Sequence, residues 1–514
     1  MTTDCDFIVI GAGSAGCVVA RVLAERGFSV TLIEAGQNSP VTRTPALYPR
    51  AFGSREDWTY QSVPQSGLSQ RRIRLPAGRG PGGSTRINAM IWYPPLKSDF
   101  DSIALAGGQA WSVDRLVRSL QAVDLWVRPE PARWLSEATQ RFLSTAVSHR
   151  FACQSFLRMT RGGRRLTAAD LLAESDAAAH VKIITANVSR LRIRRSRACG
   201  VDLIGAGQGQ SESIEAKIGV VLSCGAIGSP ALLIRSGIGP AALITAQSAT
   251  VEPLLAREQV GANLSDHLIM PIVYAAAPQR RFPAPSDCRA LARFQIATTG
   301  PLASNLAEAG GIFSLTQDRP SIRRQVSPDT PKPWAQIHFT PTHYLLHPEP
   351  AAPSAITIGV NLCHPRSRGH VRLWPSLEPV QRAYELEIDP AYLSAPEDQV
   401  DLLRAIRIAR DLAQQPPLAS FHDEELIPGA KRSTDESLLR SISRYAQTLY
   451  HPTGTCRMGQ DEASVVDESL AVRGVTGLHV VDASVLPTTP SANPNALVMT
   501  LAWHASQRIA ESSL

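Results

Sequence analysis

Residues 6–34, DFIVIGAGSAGCVVARVLAERGFSVTLIE, leave this chain few folds to choose from. The continuous apolar run from Asp6 to Ile10 has the two-sided hydrophobicity of a strand buried in a parallel sheet. Gly11, Gly13 and Gly16 follow at the spacing G-x-G-x-x-G. They predict a tight turn, a bare backbone that a pyrophosphate can approach, and a helix packed closely on the strand. Ser14 and Ala15 open that helix, whose unpaired N–H groups attract phosphate. A second strand, Ser29 to Ile33, runs into Glu34 and Ala35. Glu34 stands eighteen positions past Gly16, where a carboxylate accepts hydrogen bonds from a ribose diol and repels a 2′-phosphate. The stretch therefore predicts an α/β fold with a Rossmann-like dinucleotide site, and by itself it does not separate NAD from FAD.

The far end of the chain carries a second piece of the same pattern. GLHVVDASVLPTTPSANPNALVMTLAWHASQRIA begins with a strand, Leu478 to Val481, that delivers Asp482 and Ala483 to its carboxyl end. It then turns through prolines, Pro494 among them, into a helix starting near Asn495. Ligands of open parallel sheets lie beyond the carboxyl ends of the strands, so a last strand added beside the first puts Asp482 at the same cofactor. Asp482 read alone is equally a turn or helix-capping aspartate.

Composition narrows the class. The 514 residues are 44% hydrophobic, enough for two units with sizeable cores. No apolar run of about 18 residues predicts a membrane span, and no basic leader precedes the first strand, so a cytoplasmic protein is expected. The eight cysteines form no C-x-x-C pair, which predicts reduced thiols and no structural metal site. The net charge of +7 is carried almost wholly by arginine. In SRLRIRRSRACGV the arginines alternate with Leu191, Ile193 and Val201, the pattern of an edge strand's wet face. No aromatic residues interleave with them, so nucleic acid is not an expected partner. The sequence shows no G-x-S-x-G elbow, H-E-x-x-H or P-loop, which removes the common hydrolase and NTPase classes.

One histidine stands out. TLYHPTGTCRMG (448–459) sets His451 in a turn stiffened by Pro452 and left bare at Gly454. It can be read as a general base, a metal ligand or a packing residue. A metal site lacks further ligands nearby, Cys456 being the only candidate in sequence.

Six stretches in order, GRGPGGSTRINAMIWY (78–93), GAIGSPALLIRSGIG (225–239), VGANLSDH (260–267), HPRSRGHVRL (364–373), YHPTGTCRMG (450–459) and VVDASVLP (480–487), resemble the motifs of the glucose–methanol–choline (GMC) flavin oxidoreductases. The resemblance spans the whole chain. It implies FAD, held at its adenosine end by the N-terminal unit and at its ring end by the loop after Arg79. In that loop Gly82, Gly83 and Ser84 bring backbone close to the cofactor, and Asn88, followed by Ala89, can donate a hydrogen bond. GGSTRINAM contains no histidine, so the flavin is expected to be non-covalent. Val188 is implied at the adenine through its backbone.

The resemblance also implies a catalytic pair, assigned to His451 and, in the NPN segment, Asn495. A neutral imidazole suits removal of the hydroxyl proton of an alcohol near pH 7, while the carbon gives a hydride to flavin N5. Asn495 is expected to orient the substrate oxygen. The implied activity is oxidation of a small alcohol, with an aromatic or otherwise unsaturated primary alcohol preferred and oxygen or a quinone-like carrier as acceptor. A cyanohydrin-cleaving lyase on the same FAD-containing fold is the alternative. Oligomeric state is left open between monomer and dimer.

The expected organisation is discontinuous, with an FAD-binding domain of residues 1–98, 183–270 and 440–514 and a substrate-binding domain of 99–182 and 271–439. Within the latter, AITIGVNL, HVRLW and YELEIDP predict an antiparallel sheet, backed by an amphipathic helix in SAPEDQVDLLRAIRIARDLAQQ. Leu449 and Tyr450 are expected to face the substrate, with His338 or Phe339 from WAQIHFTP. The compact stretch after WSVDRLVRSL predicts a reduced lid. Trp503 leaves the local helix contacts open, and His504 is expected to pack rather than react.

Overall fold

The computed structural model describes residues 5–149, 151–204, 212–246, 253–277, 287–316, 319–321, 334–345, 354–375 and 384–514. Its first sheet grows from the N-terminal apolar run. β1 (Cys5–Ile10) is almost wholly buried, as a strand between two parallel neighbours must be. β2 (Val30–Glu34), β3 (Val181–Thr185), β4 (Val188–Arg194), β5 (Arg197–Leu203) and β6 (Ser213–Leu222) complete the order β3-β2-β1-β6-β5-β4. The pairs β3–β2, β2–β1 and β1–β6 are parallel, and β4, β5 and β6 form an antiparallel meander. On the exposed strand β4, Arg190 pairs with Asp202 at 2.7 Å.

α1 (Ser14–Glu25) and the C-terminal α8 (Asn495–Ser513) pack together on this sheet. The last strand does not lie beside the first. β1 already has β2 on one side and β6 on the other, so β15 (Leu478–Val480) pairs in parallel with β6, through Val220–Leu478 and Leu222–Val480. Because all four strands run the same way, β15 still brings Asp482 to the edge where β1 brings Gly11.

The second sheet is antiparallel. β7 (Leu268–Ala276), β8 (Ala309–Thr316), β9 (Arg319–Ser321), β10 (Ala335–Thr340), β11 (Ala355–Leu362) and β14 (His422–Ile427) run in the order β9-β8-β10-β11-β7-β14. One face packs on α4 (Glu137–Ser148), α6 (Pro396–Ala413) and α7 (Asp435–Tyr445). α6 starts with Pro396 and carries Glu397 and Asp398 in its first turn, where acids complement the helix dipole. Alternation along β10 turns Ala335, Ile337 and Phe339 into this core, with Phe339 stacked on Phe142 at 4.5 Å, and leaves His338 and Thr340 on the opposite face.

One expectation is corrected. AITIGVNL, HVRLW and YELEIDP do not share a sheet. β11 is buried on both faces and sits inside the second sheet, whereas β12 (His370–Pro375) and β13 (Tyr384–Asp389) form a separate hairpin. That hairpin has one apolar face, and its Val371 and Ile388 cluster with Leu75, Ile227 and Leu264 against α5 (Gly225–Arg235). Within residues 99–182, α2 (Lys97–Gly107) and α3 (Val113–Val127) give Phe100, Ile103, Leu116 and Val123 to the first core, where the apolar stripe of α3 packs on α8, whereas α4 packs on the second sheet. His504 packs there too: its Nε2 is 2.8 Å from the Ala110 carbonyl and its ring stands edge-on to Trp111. Trp503 lies partly buried against the same core. No helix among the described residues is long and apolar enough to cross a membrane.

Candidate active site

A cavity of about 1440 Å³ runs from the carboxyl edge of the first sheet to the polar face of the second. At the first sheet it is lined by Gly11, Gly13, Ser14, Ala15, Glu34 and Ala35. Gly83, Ser84, Asn88 and Ala89 form a second wall, and Val188, Asp482, Ala483, Pro494 and Asn495 close it. Three expected residues lie behind the wall. Gly16 sits under the turn, where a Cβ would stand 1.8 Å from the Gly11 carbonyl oxygen, too close for any side chain. Gly82 donates its N–H to the Ala12 carbonyl at 2.7 Å, tying the two loops together. Arg79 lays its guanidinium over Trp58, 5.0 Å from the ring centre.

The cavity suits a dinucleotide on its own geometry. α1 has no side-chain cap at Gly13 and no acid in its first turn, so its first N–H groups are left to the cavity. A Cβ built at Gly13 meets no protein atom within 4 Å, which marks open room where a pyrophosphate would lie. Opposite, Gly83 comes so near that its Cβ would be 2.6 Å from the Gly13 Cα. Glu34 accepts N–H bonds from Ala12, Gly36 and Gly80 at 2.8–2.9 Å, so this carboxylate also clamps the glycine turn to the 78–83 loop. Asn88 spends Oδ1 on the Met90 N–H and on Arg165, leaving its NH₂ for a ligand. Asp482 accepts from Gly225 N, Ser229 Oγ and Ser484 N, and burial pushes its carboxyl above the usual range. It lines the cavity and caps a turn at once.

His451 stands at the other end. A short strand, Gln447–Thr448, pairs with β7 and sends the chain into Tyr450, whose φ of 69° is held by Thr448 Oγ1 accepting the Tyr450 N–H at 2.7 Å. Buried Asp266 gathers this loop: it accepts from the His451 N–H at 2.8 Å, from Thr448 Oγ1 at 2.6 Å and from the Tyr392 hydroxyl. The His451 imidazole is thereby fixed, 7% exposed, in the cavity wall. Its Nδ1 lies 2.9 Å from Nδ1 of His267, and the rings stand at 79°. Burial holds His451 well below the ordinary imidazole pKa, with His267 and His338 adding to the effect.

The amide beside His451 is Asn493, with Nδ2 3.3 Å from Nε2, and not Asn495. Asn495 accepts from Ser14 Oγ at 2.7 Å and so pins the start of α8 to the start of α1. Pro494 explains the difference. The residue before a proline is driven out of the helical region, so Asn493 stays in the loop, while Asn495 is the first helical residue. Leu449, Tyr450 and His338 line the cavity as well; Phe339 lies in the opposite core. Sequence reasoning passed over Asn493, Asp266 and His267, although the last two stand in the SDH of a quoted motif and Asn493 directly precedes Pro494.

An uncapped helix N-terminus, a carboxylate-braced glycine turn and a buried imidazole at the far end of one cavity define the class, a dinucleotide-binding protein with a candidate base. The chain belongs to the GMC oxidoreductase family: models described as GMC oxidoreductase match residues 5–269 and 365–502. The family binds FAD. The chain is 30% identical to an alcohol dehydrogenase [acceptor] of Pseudomonas putida, covering 98% of this chain and 95% of that protein. It is 32% identical to an oxygen-dependent choline dehydrogenase of Serratia proteamaculans, with 98% and 95% covered. Among solved structures, pyridoxine 4-oxidase from Mesorbium loti superposes with a TM-score of 0.82 at 29% identity, over 98% of each chain.

Proposed function

We propose that this protein oxidises a primary alcohol, aromatic or otherwise unsaturated, to the aldehyde, with non-covalent FAD as cofactor and His451 as the base. Bound FAD supplies the hydride acceptor, flavin N5, that no side chain can provide. Gly13, Ser14, Ala15 and Glu34 would hold its dinucleotide part, with Val188 beside the adenine; Gly83, Asn88 and Ala483 would meet the ring end. Non-covalent attachment rests on the absence of histidine from GGSTRINAM.

The observation that carries the reading is the buried His451 imidazole with the Asn493 amide 3.3 Å from its Nε2, both in the cavity wall. Nε2 takes the hydroxyl proton, and the Asn493 NH₂ holds the oxygen as charge gathers on it. Tyr48, Phe52, Tyr344 and Tyr450 surround this end and suit a flat ring. Of the lining carboxylates, Glu34 belongs to the glycine-turn end of the cavity, Asp482 accepts from Gly225, Ser229 and Ser484, and Glu385 lies on the β12–β13 hairpin packed on α5. None is on an element carrying His451, which favours a neutral alcohol over a quaternary ammonium. The electrons go on to oxygen or a quinone-like carrier.

Aldehyde formation from benzylic, allylic and aliphatic alcohols, each offered with oxygen or a quinone, tests the proposal. Benzylic or allylic substrates should lead; a preference for short saturated alcohols or choline would overturn the substrate class. Asn493→Ala should slow flavin reduction by roughly 10²–10³-fold, the cost of losing one donor to a developing oxyanion. Asn495→Ala should act mainly through FAD retention, and the reverse ranking would restore the Asn495 assignment. The pH dependence follows from burial. The active base is the unprotonated imidazole, and burial favours that form, so flavin reduction should stay level as pH falls through 6.5, the value of a free imidazole, and decline only in more acid solution. A rate already halved at pH 6.5 would contradict the site geometry.

A further inference from the structure

We infer that His267 is a positioning residue that fixes which nitrogen of His451 is free to take a proton, an inference that rests on His451 being the base. Cys363, His267, His451 and Asn493 form one hydrogen-bonded row in which each donor fixes the next. Nε2 of His267 is 2.9 Å from the Cys363 carbonyl, which can only accept, so that nitrogen carries the hydrogen. His267 is fully buried, and burial pushes its pKa down to about 4, so the ring is neutral and has one N–H. Its Nδ1 is therefore bare. The 2.9 Å contact between the two Nδ1 atoms then requires the hydrogen on His451 Nδ1, which leaves His451 Nε2 bare of hydrogen and able to accept.

The placement of Asn493 agrees with this. Its NH₂ group, a pure donor, is 3.3 Å from that same Nε2. The opposite tautomer would set two hydrogens against each other there and two acceptors against each other at Cys363. A neutral imidazole in water prefers its hydrogen on Nε2, the nitrogen that must be bare for catalysis, so His267 holds His451 in the less favoured form. When the alcohol O–H bond breaks and the Nε2–H bond forms, His451 becomes cationic, and its Nδ1–H bond to His267 becomes charge-assisted. His267 itself does not line the cavity and touches no substrate. Its effect passes through His451.

The first test needs no variant. In wild-type holoenzyme carrying ¹⁵N-labelled histidine, the His451 resonances, assigned by their loss in His451→Ala, should report hydrogen on Nδ1; hydrogen on Nε2 would overturn the inference. His267→Leu should slow flavin reduction roughly 10–100-fold, the range for partners that orient an imidazole from behind, with little change in KM. His267→Asn puts an amide oxygen where Nδ1 was and should restore most of the rate. Both variants are compared at equal bound FAD. A leucine variant as fast as the parent, or an asparagine variant no better than leucine, would overturn the inference. The readouts separate this idea from the proposed base: if His451→Ala bleaches at full speed, the base is wrong, while the nitrogen spectrum still reports the tautomer.

Discussion

His451→Ala should reduce its flavin roughly 10²–10⁴-fold more slowly than the parent protein when mixed with an alcohol, and should remain yellow. The loss corresponds to about 3–5 kcal/mol of transition-state stabilisation. It is large because among the described residues only His451 has an amide at hydrogen-bond distance of its Nε2 in the cavity wall. His338 also lines the cavity, and burial holds it down at about 3, which makes it a weak base. The yellow colour should survive because His451 belongs to the 447–452 loop, away from the α1 turn and the Glu34 clamp. Stopped-flow absorbance measures both properties at once. A variant that bleaches like the parent would remove His451 from the chemistry, and a colourless one would make it a cofactor residue.

The second large effect belongs to Gly16→Ala. A Cβ there would stand 1.8 Å from the Gly11 carbonyl oxygen, which is backbone and cannot rotate away. The glycine turn must open, at a cost of at least about 1–3 kcal/mol, and a displacement near 1 Å would carry the N-terminus of α1 away from the phosphate position. The protein should melt lower even without FAD and purify colourless. Gly13→Ala is the contrast: its Cβ meets no protein atom within 4 Å, so FAD-free protein should melt as the parent does while FAD binds more weakly. Equal melting temperatures for Gly16→Ala and the parent would contradict the packing described for the turn.

These two positions mark what the sequence made legible. The strand, glycine turn and helix around Gly16 are decided within some thirty residues, and local geometry leaves little choice there. The His451 turn was legible for the same reason, since Pro452 and Gly454 shape it locally. What escaped depends on distant partners. The contact between His267 and His451 joins residues 184 positions apart, and no periodicity encodes it. The place of β15 depends on β6 having already filled the free side of β1. α3 joins the first core because α8, at the far end of the chain, offers it a face, and α2 packs on α3. Two distinctions could have been drawn from the sequence. The proline rule separates Asn493, kept in the loop, from Asn495, the first helical residue. The apolar character of AITIGVNL against the alternation in HVRLW also distinguishes a two-sided buried strand from a hairpin with one covered face.

The central claim is that one cavity joins FAD to a base able to deprotonate an alcohol, and an oxygen-free single turnover tests it most directly. Holoenzyme mixed with excess benzylic alcohol should lose its flavin colour and yield one aldehyde per FAD. Colour that persists through the whole alcohol panel, with cyanohydrin cleaved by the same protein, would contradict the claim and identify a lyase.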